Sequence, residues 1–197
     1  MDELIPEKFS SRKVYFGIAS SLFIAVLMTA VLRLNGRIWW CKLGDWAIYI
    51  NEAWRSSHTS QHFFDPYTLT HALHGVLGFW IVYFFFNKLA FGWKIMLVAA
   101  GEAAWEIFEN SNFIIEKYRE NTASLDYFGD STANSVGDLT ACVVGFAIAT
   151  KLGAWRSFAF FIAVELLLLF WIRDGLLLNI VMLIYPLDRI KAWQMGG

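Results

Sequence analysis

The run VYFGIASSLFIAVLMTAVL, from Val14 to Leu32, contains no charged residue. A helix of about 20 apolar residues, rising 1.5 Å per residue, spans the roughly 30 Å hydrocarbon core of a bilayer. Basic residues precede the run and no small-residue cleavage site follows it, so we interpret it as a retained anchor and not as a secretory signal. This stretch therefore predicts an integral membrane protein.

The composition of the whole chain favours the same class. Of the 197 residues, 57% are hydrophobic, 18% aromatic and only 17% charged, and the mean hydropathy is +0.47. A soluble domain carries about 25% charged residues. The net charge of −1 also argues against a basic nucleic-acid-binding surface, so no nucleic-acid partner is expected. The expected surroundings are a lipid bilayer.

Further apolar segments follow the first one. We predict an all-α fold, a polytopic transmembrane helix bundle with about five spanning helices, in a single integral membrane domain over residues 1–197. A shorter apolar stretch, residues 175–185, ends at Pro186 and is predicted as a C-terminal half-helix, because it is too short to cross alone. The predicted spans are residues 14–32, 68–86, 92–110, 132–152 and 157–172.

Basic residues in the short connections predict the orientation. Lys88 and Lys151 fall in short turns, on the same side as the N-terminus if there are five crossings. Short loops rich in Lys and Arg face the cytoplasm. We therefore predict a multi-pass protein of the cell inner membrane with a cytoplasmic N-terminus, whose longer loops, residues 34–67 and 111–131, face outward.

Three of the predicted helices carry polar residues spaced three or four positions apart, so that each set lies on one helical face. The alternating direction of the helices places all three faces in the outer half of the membrane. A charged group there costs at least about 2.5 kcal/mol and normally faces a protein interior or a wet cavity with a partner. We expect one polar cluster. Its members are His71 and His74, then Glu102, Glu106 and Glu109, then Asp130, Asn134 and Asp138.

We predict the functional centre from the depth of the polar residues in the membrane. Counted back from the end of its helix, Glu102 lies deepest and Glu106 follows, so these carboxylates need partners most. All four histidines fall between His58 and His74, and we expect the outer loop to fold back as a lid. The predicted catalytic residues are Glu102, Glu106, His74 and Asp130; the predicted binding residues are His58, His62, Glu109, Asn134 and Asp138; the predicted ligands of a divalent metal are His71, His74, Glu102 and Glu106.

The sequence leaves three interpretations of the cluster open. It is a polar network that fixes helix packing, a divalent metal site, or a proton- or substrate-handling site without metal. No HExxH or similarly closed motif decides among them. The first functional hypothesis is an envelope enzyme acting on a lipid-linked or amphipathic substrate. The alternative is a non-catalytic ligand- or ion-binding protein, or an accessory subunit partnered by another membrane protein.

A family resemblance is carried by the run GEAAWEIFEN at residues 101–110 and the run GDSTANSVGD at residues 129–138. Both resemble an uncharacterised family of small bacterial inner-membrane proteins, as does the segment 39–74. More distantly, the order of a His-bearing helix, a Glu-bearing helix and a D-x-x-x-N-x-x-G segment is similar to VanZ-like proteins, associated with glycopeptide resistance and the cell envelope. The resemblance implies a membrane location and these site residues, and no established activity.

Overall fold

The computed structural model describes residues 11–53 and 56–196. These residues form helices and connecting loops without a strand, which confirms the all-α prediction. The helices are α1 (Ser11–Leu34), α2 (Thr68–Phe85), α3 (Phe91–Glu109), α4 (Asn112–Asn121), α5 (Thr132–Ile172), α6 (Leu176–Ile184) and α7 (Asp188–Gln194).

Within the described residues, α1, α2 and α5 are long and apolar enough to cross a membrane. On α1, the side chains of Leu22, Phe23 and Val26 are each 64% exposed. A continuous apolar exterior of this kind suits lipid and not water. These three helices support membrane association, whereas the count of about five crossings stays a prediction.

The helical run of α5 consists of two helices joined at Gly153. This residue has φ 76° and ψ 177°, a non-helical conformation that glycine adopts readily because it lacks a Cβ. The Trp80 indole donates to Ser157 Oγ at 3.0 Å, and the Tyr67 hydroxyl donates to Asp174 Oδ2 at 3.0 Å. Because Tyr67 precedes α2 and Trp80 lies near its far end, the second half of α5 returns antiparallel to α2. The non-helical Gly153 falls between residues 152 and 157, where the predicted spans leave a gap.

Helix α2 approaches the first half of α5 closely. A Cβ at Gly75 would overlap the carbonyl oxygen of Cys142, and a Cβ at Gly145 would overlap that of Ala72. Small residues allow this backbone-to-backbone contact, as expected for helices packed in a membrane. Around the contact lies an apolar core in which Leu73, Val76, Phe79, Phe146, Phe161 and Leu168 are all buried.

The shorter helices cover the end of the bundle at which α2 and α5 begin, which we call the loop end. Helix α6 lies within the stretch 175–185 that was predicted as a half-helix, and its first amides, from Leu176 and Leu177, donate to the Glu165 carboxylate at 2.9 and 3.2 Å. Glu165 therefore caps α6 instead of joining the polar cluster. Helices α4 and α7 occupy segments for which no helix was predicted.

Candidate functional site

His71 lies where three helices meet. Its Nδ1 is 2.6 Å from Glu102 Oε1 and 3.2 Å from Glu106 Oε1, both on α3, and its Nε2 is 3.8 Å from Asp138 Oδ2 on α5. The i, i+4 spacing of the two glutamates turns both toward α2. The three polar faces thus converge on one buried imidazole. We call His71, His74, Glu102, Glu106 and Asp138 the intramembrane cluster.

His74 shares the Glu102 carboxylate with His71. Its Nδ1 lies 3.1 Å from Oε1 and 3.0 Å from Oε2 of Glu102, and its side chain is 19% exposed. An ionised carboxylate only accepts hydrogen bonds, so each imidazole donates from Nδ1, and a neutral ring then carries its lone pair on Nε2. Within the described residues, Nε2 of His74 has no hydrogen-bond partner. Of the two histidines, it is His71 that lies beside Asp138.

Glu106 is the least satisfied member of the intramembrane cluster. It is fully buried, and neither of its carboxylate oxygens accepts a hydrogen bond from the described residues. Oδ1 of Asp138 is also buried and accepts no hydrogen bond from the described residues. Ionised carboxylates at such depth are strongly disfavoured unless a proton, an imidazolium or a bound cation compensates them. His71 is the nearest group able to do so, since it lies beside both.

Asp130 is hydrogen-bonded to residues outside the intramembrane cluster. Its Oδ1 accepts from the Tyr127 hydroxyl at 3.0 Å, its Oδ2 accepts from the Asn110 amide at 2.7 Å, and its own N–H donates to Asn110 Oδ1 at 2.7 Å. Burial raises the pKa of Asp130, against the lowering effect of these two side-chain hydrogen bonds. The geometry suits a carboxylate that joins the ends of α3 and α5 more than one that contacts a substrate.

Two further predicted binding residues also lie at the loop end. The Asn134 amide donates to the His62 carbonyl at 2.7 Å, so this side chain fastens the loop before α2 to the first turn of α5. Glu109 is buried and lines a small polar cavity of about 40 Å³ together with His71 and Asp130. Thr59 and Ser60 line the same cavity, which confirms that the loop folds back toward the cluster.

A larger cavity opens between α2 and α3. This groove has a volume of about 430 Å³, and its polar end is formed by His74 and Glu102. Its walls are otherwise predominantly apolar and extend away from the loop end as far as Phe86. They include Leu77, Ile81 and Val82 from α2, and Leu97, Gly101 and Trp105 from α3.

His58 and His62 do not join the intramembrane cluster, although the segment between them helps to cover it. His58 Nδ1 lies 3.1 Å from Asp45 Oδ2, 3.6 Å from Cys41 Sγ and 3.1 Å from His62 Nε2. We call Cys41, Asp45, His58 and His62 the loop cluster. The structure therefore divides the predicted site residues between two places.

Sequence reasoning missed Cys41 and Asp45, although a signal was present. The pattern is Cys41-x3-Asp45-x12-His58-x3-His62. Two pairs of metal-binding side chains separated by about 12–15 residues are typical of small zinc motifs, in which the first pair is usually two cysteines. The aspartate in place of the second cysteine hides the pattern from a search based on cysteines.

Comparison with known proteins identifies relatives without a described activity. A family model described as "Protein of unknown function (DUF2585)" matches residues 32–196. A UPF0314 protein of Paracoccus denitrificans is 40% identical over 189 residues, covering 93% of this chain and 97% of the relative. The UPF0314 protein of Brucella anthropi is 41% identical over 189 residues, covering 96% and 95%. That of Sphingopyxis alaskensis is 38% identical over 175 residues, covering 88% and 92%. No solved structure matches the chain significantly.

Proposed function

Since the chain belongs to the DUF2585 family, whose function is unknown, we propose a function from its geometry alone. The protein is an integral membrane enzyme of the cell envelope that binds an amphipathic, lipid-linked molecule and performs acid–base chemistry on its polar part. The observation that carries this proposal is the apolar groove between α2 and α3, which ends at the His74–Glu102 pair.

The groove suits one acyl or prenyl chain. From Leu77 to Phe86 the wall extends about 14 Å at 1.5 Å per residue, and its side chains are almost entirely apolar. Ile81 and Leu97 on its walls are 52% and 38% exposed. A hydrocarbon chain entering sideways from the bilayer would cover them, and its polar end would stop at His74.

The polar end is suited to moving a proton. Glu102 accepts from Nδ1 of His74 and so holds the ring with Nε2 available to take a proton from a hydroxyl group or a water molecule. A carboxylate in this position also stabilises the imidazolium that results. We therefore assign His74 as general base and Glu102 as the residue that orients it.

A second candidate function is favoured by the unpartnered oxygens of Glu106 and Asp138. With His71, these residues place one donor atom each within 4.8 Å of one another, as do His71, His74 and Glu102. A protein that binds a cation at this depth without catalysis would use the same side chains. The predicted metal ligands belong to this alternative.

The proposed location follows from the same arrangement. We propose five crossings, formed by α1, α2, α3 and the two halves of α5, in the cell inner membrane with the N-terminus in the cytoplasm. Reporters fused after Lys88 and after Lys151 are then cytoplasmic, and one inserted near Asn121 is external. Detection of the Lys88 and Asn121 reporters on the same side would contradict this topology.

Blocking the groove tests the lipid-binding proposal. Gly101 lines the groove, and a Cβ built on it meets no atom within 4 Å, so Gly101→Phe fills the groove without a clash at its base. The neighbouring Ala100 is exposed but does not line the groove, which makes Ala100→Phe the matched control. Lipids that copurify with the full-length protein in mild detergent are measured by mass spectrometry against the bulk membrane extract.

The proposal predicts an amphipathic species enriched with the wild type and with Ala100→Phe, and absent from Gly101→Phe. It also predicts that His74→Gln retains the species and accumulates it, because substrate then binds without being converted. Identical lipid profiles in all four proteins would overturn it. Retention of the same species by Gly101→Phe, together with a cation lost from Glu106→Gln, would favour the second candidate.

A further inference from the structure

We infer that the loop cluster is a tetrahedral zinc site, separate from the groove and independent of the proposed function. Cys41, Asp45, His58 and His62 each present one donor atom, and all four atoms lie within 4.8 Å of one another. One thiolate, one carboxylate and two imidazoles form a complete ligand set for Zn²⁺.

The distances between the donor atoms match the edges of a zinc-centred tetrahedron. Bonds of about 2.3 Å to sulfur and about 2.0–2.1 Å to nitrogen or oxygen place nitrogen and oxygen ligands roughly 3.3 Å apart, and sulfur roughly 3.6 Å from either. The observed separations without sulfur are 3.1, 3.1 and 3.6 Å. Cys41 Sγ lies 3.6 Å from His58 Nδ1 and 3.9 Å from Asp45 Oδ2. A single ion at the centre would reach all of these atoms with small adjustments.

Neighbouring backbone groups orient two of the ligands. Nδ1 of the buried His62 lies 2.6 Å from the Ala47 carbonyl oxygen, which can only accept, so Nδ1 carries the proton and Nε2 faces the cluster with its lone pair. The Ala47 N–H donates to Asp45 Oδ1 at 2.9 Å, which leaves Oδ2 directed at the imidazoles. Hydrogen bonds from the far side of a ligand to a backbone carbonyl or amide are the usual support of protein metal sites.

The donor set selects the metal. Thiolate and imidazole ligands are unsuited to Mg²⁺ and Ca²⁺, which take oxygen ligands, whereas a tetrahedral set of sulfur and nitrogen ligands suits Zn²⁺. Four protein ligands leave no open position, so the site is structural and not catalytic. Cys41 is also free of a disulfide, and the other cysteine, Cys142, lies on α5 in contact with Gly75 of α2.

The site would fix the loop over the intramembrane cluster. The carbonyl oxygens of Gln61 and His62 accept hydrogen bonds from Ser131 at 3.1 Å and from Asn134 at 2.7 Å, at the start of α5. Zinc bound to His62 would therefore connect the segment around Cys41 to the end of the bundle at which the polar cavity lies.

Cobalt substitution tests the inference. Full-length protein in detergent is stripped with a chelator and titrated with Co²⁺, because a tetrahedral cobalt–thiolate centre has intense visible bands and a thiolate-to-cobalt charge-transfer band. We expect one such centre per chain, displaced by one equivalent of Zn²⁺. Cys41→Ser should lose the charge-transfer band, whereas Cys142→Ser, the matched cysteine control, and His71→Gln should retain it.

Protection of the Cys41 thiol from alkylation is a second test, and it leaves all four proposed ligands unchanged. In the Cys142→Ser background, Zn²⁺ should slow alkylation of Cys41 at least tenfold, and Mg²⁺ should not. Absence of thiolate bands from a folded protein, or alkylation unaffected by Zn²⁺, would overturn the zinc site and leave the groove proposal untouched. Thiolate bands that persist in Cys41→Ser and disappear in Cys142→Ser would also overturn it.

Discussion

The loop cluster and the intramembrane cluster are built from similar side chains at the same end of one bundle, but they differ in how completely those side chains are satisfied. In the loop cluster the backbone of Ala47 holds both His62 and Asp45 in place for a common centre. In the intramembrane cluster, Glu106 and Asp138 are buried with unpartnered oxygens, and His74 borders an apolar groove. The loop cluster resembles a closed structural site. The intramembrane cluster resembles an open site whose carboxylates and imidazoles are available to bind a ligand or a proton.

The unsatisfied carboxylates of the intramembrane cluster carry an energetic cost, and this cost indicates a functional role. Unsatisfied buried carboxylates destabilise a fold, and they persist where their charge is used. A tetrahedral metal site instead stabilises the fold by binding the native state alone. We therefore expect substitutions in the loop cluster to act mainly on stability, and substitutions in the intramembrane cluster to act mainly on ligand binding or activity.

Metal removal should have the largest effect on stability. If free Zn²⁺ is about 1,000 times the Kd, binding stabilises the native state by about 4 kcal/mol, so chelation should lower the Tm by about 8–16 °C at about 2–4 °C per kcal/mol. Thermal unfolding of detergent-solubilised protein with and without chelator measures it. Cys41→Ser should unfold at the low temperature in both conditions. A wild-type Tm that does not change with chelator would contradict the expected difference in stability effects between the two clusters.

The contact that joins the loop to α5 should have the next largest effect. A Cβ at Gly137 would overlap the carbonyl oxygen of Phe63, so Gly137→Ala must push the loop away. We expect a loss of about 1–3 kcal/mol, the usual range for overpacking, together with weaker metal binding. Gly101→Ala is the control, because its Cβ meets open space, and it should gain about 0.5–1 kcal/mol from helix propensity. Equal stabilities for the two variants would argue against the described docking of the loop.

Neutralising the glutamates should have opposite effects on stability. Glu106→Gln removes a charge with unpartnered oxygens and should raise stability by about 1–2 kcal/mol, whereas Glu102→Gln weakens charge-assisted bonds with two imidazoles and should cost about 1.5–3 kcal/mol. Both should lose the enriched lipid, the bound cation or the activity. Two stable variants that keep the wild-type phenotype would mean that the intramembrane cluster serves packing alone.

The helix periodicity explains how much of this arrangement the sequence predicts. The i, i+4 spacing of Glu102 and Glu106 is local, and with antiparallel helices it is enough to predict the convergence on α2. The break near Gly153 and the half-helix α6 are also local features of the apolar pattern. Helix α4 was missed because its many charged and amide side chains, in the run NFIIEKYREN, suggested a loop.

Long-range pairing explains what the sequence does not predict. Because all four histidines are close in sequence, spacing alone groups His58 and His62 with the intramembrane cluster. Their actual neighbours, Cys41 and Asp45, are brought to them by the folding of a loop that has no periodic pattern. The choice of His71 instead of His74 as the neighbour of Asp138 depends on the rotation of α2 about its axis, which spacing alone does not determine.

The smallest expected effect concerns a carboxylate that belongs to neither cluster. Burial raises the pKa of Asp174, which follows α5, from 3.8 to about 7. Because the folded state binds this proton more tightly than the unfolded chain, stability from this group is present below about pH 4 and is lost as the pH rises toward 7. Asp174→Asn should therefore stabilise the protein by about 1.4 kcal/mol more at pH 8 than at pH 6. A stability difference between Asp174→Asn and the wild type that does not change with pH would contradict the raised pKa.

We propose that the groove delivers the polar end of an amphipathic molecule to His74, and a structure of the protein in nanodiscs made from its native lipid extract would show the bound molecule. We expect continuous density that begins near Phe86, follows the groove, and ends in a polar group within hydrogen-bond distance of His74 Nε2. Density that places the polar group at the Phe86 end, or a groove filled by its own side chains, would contradict it.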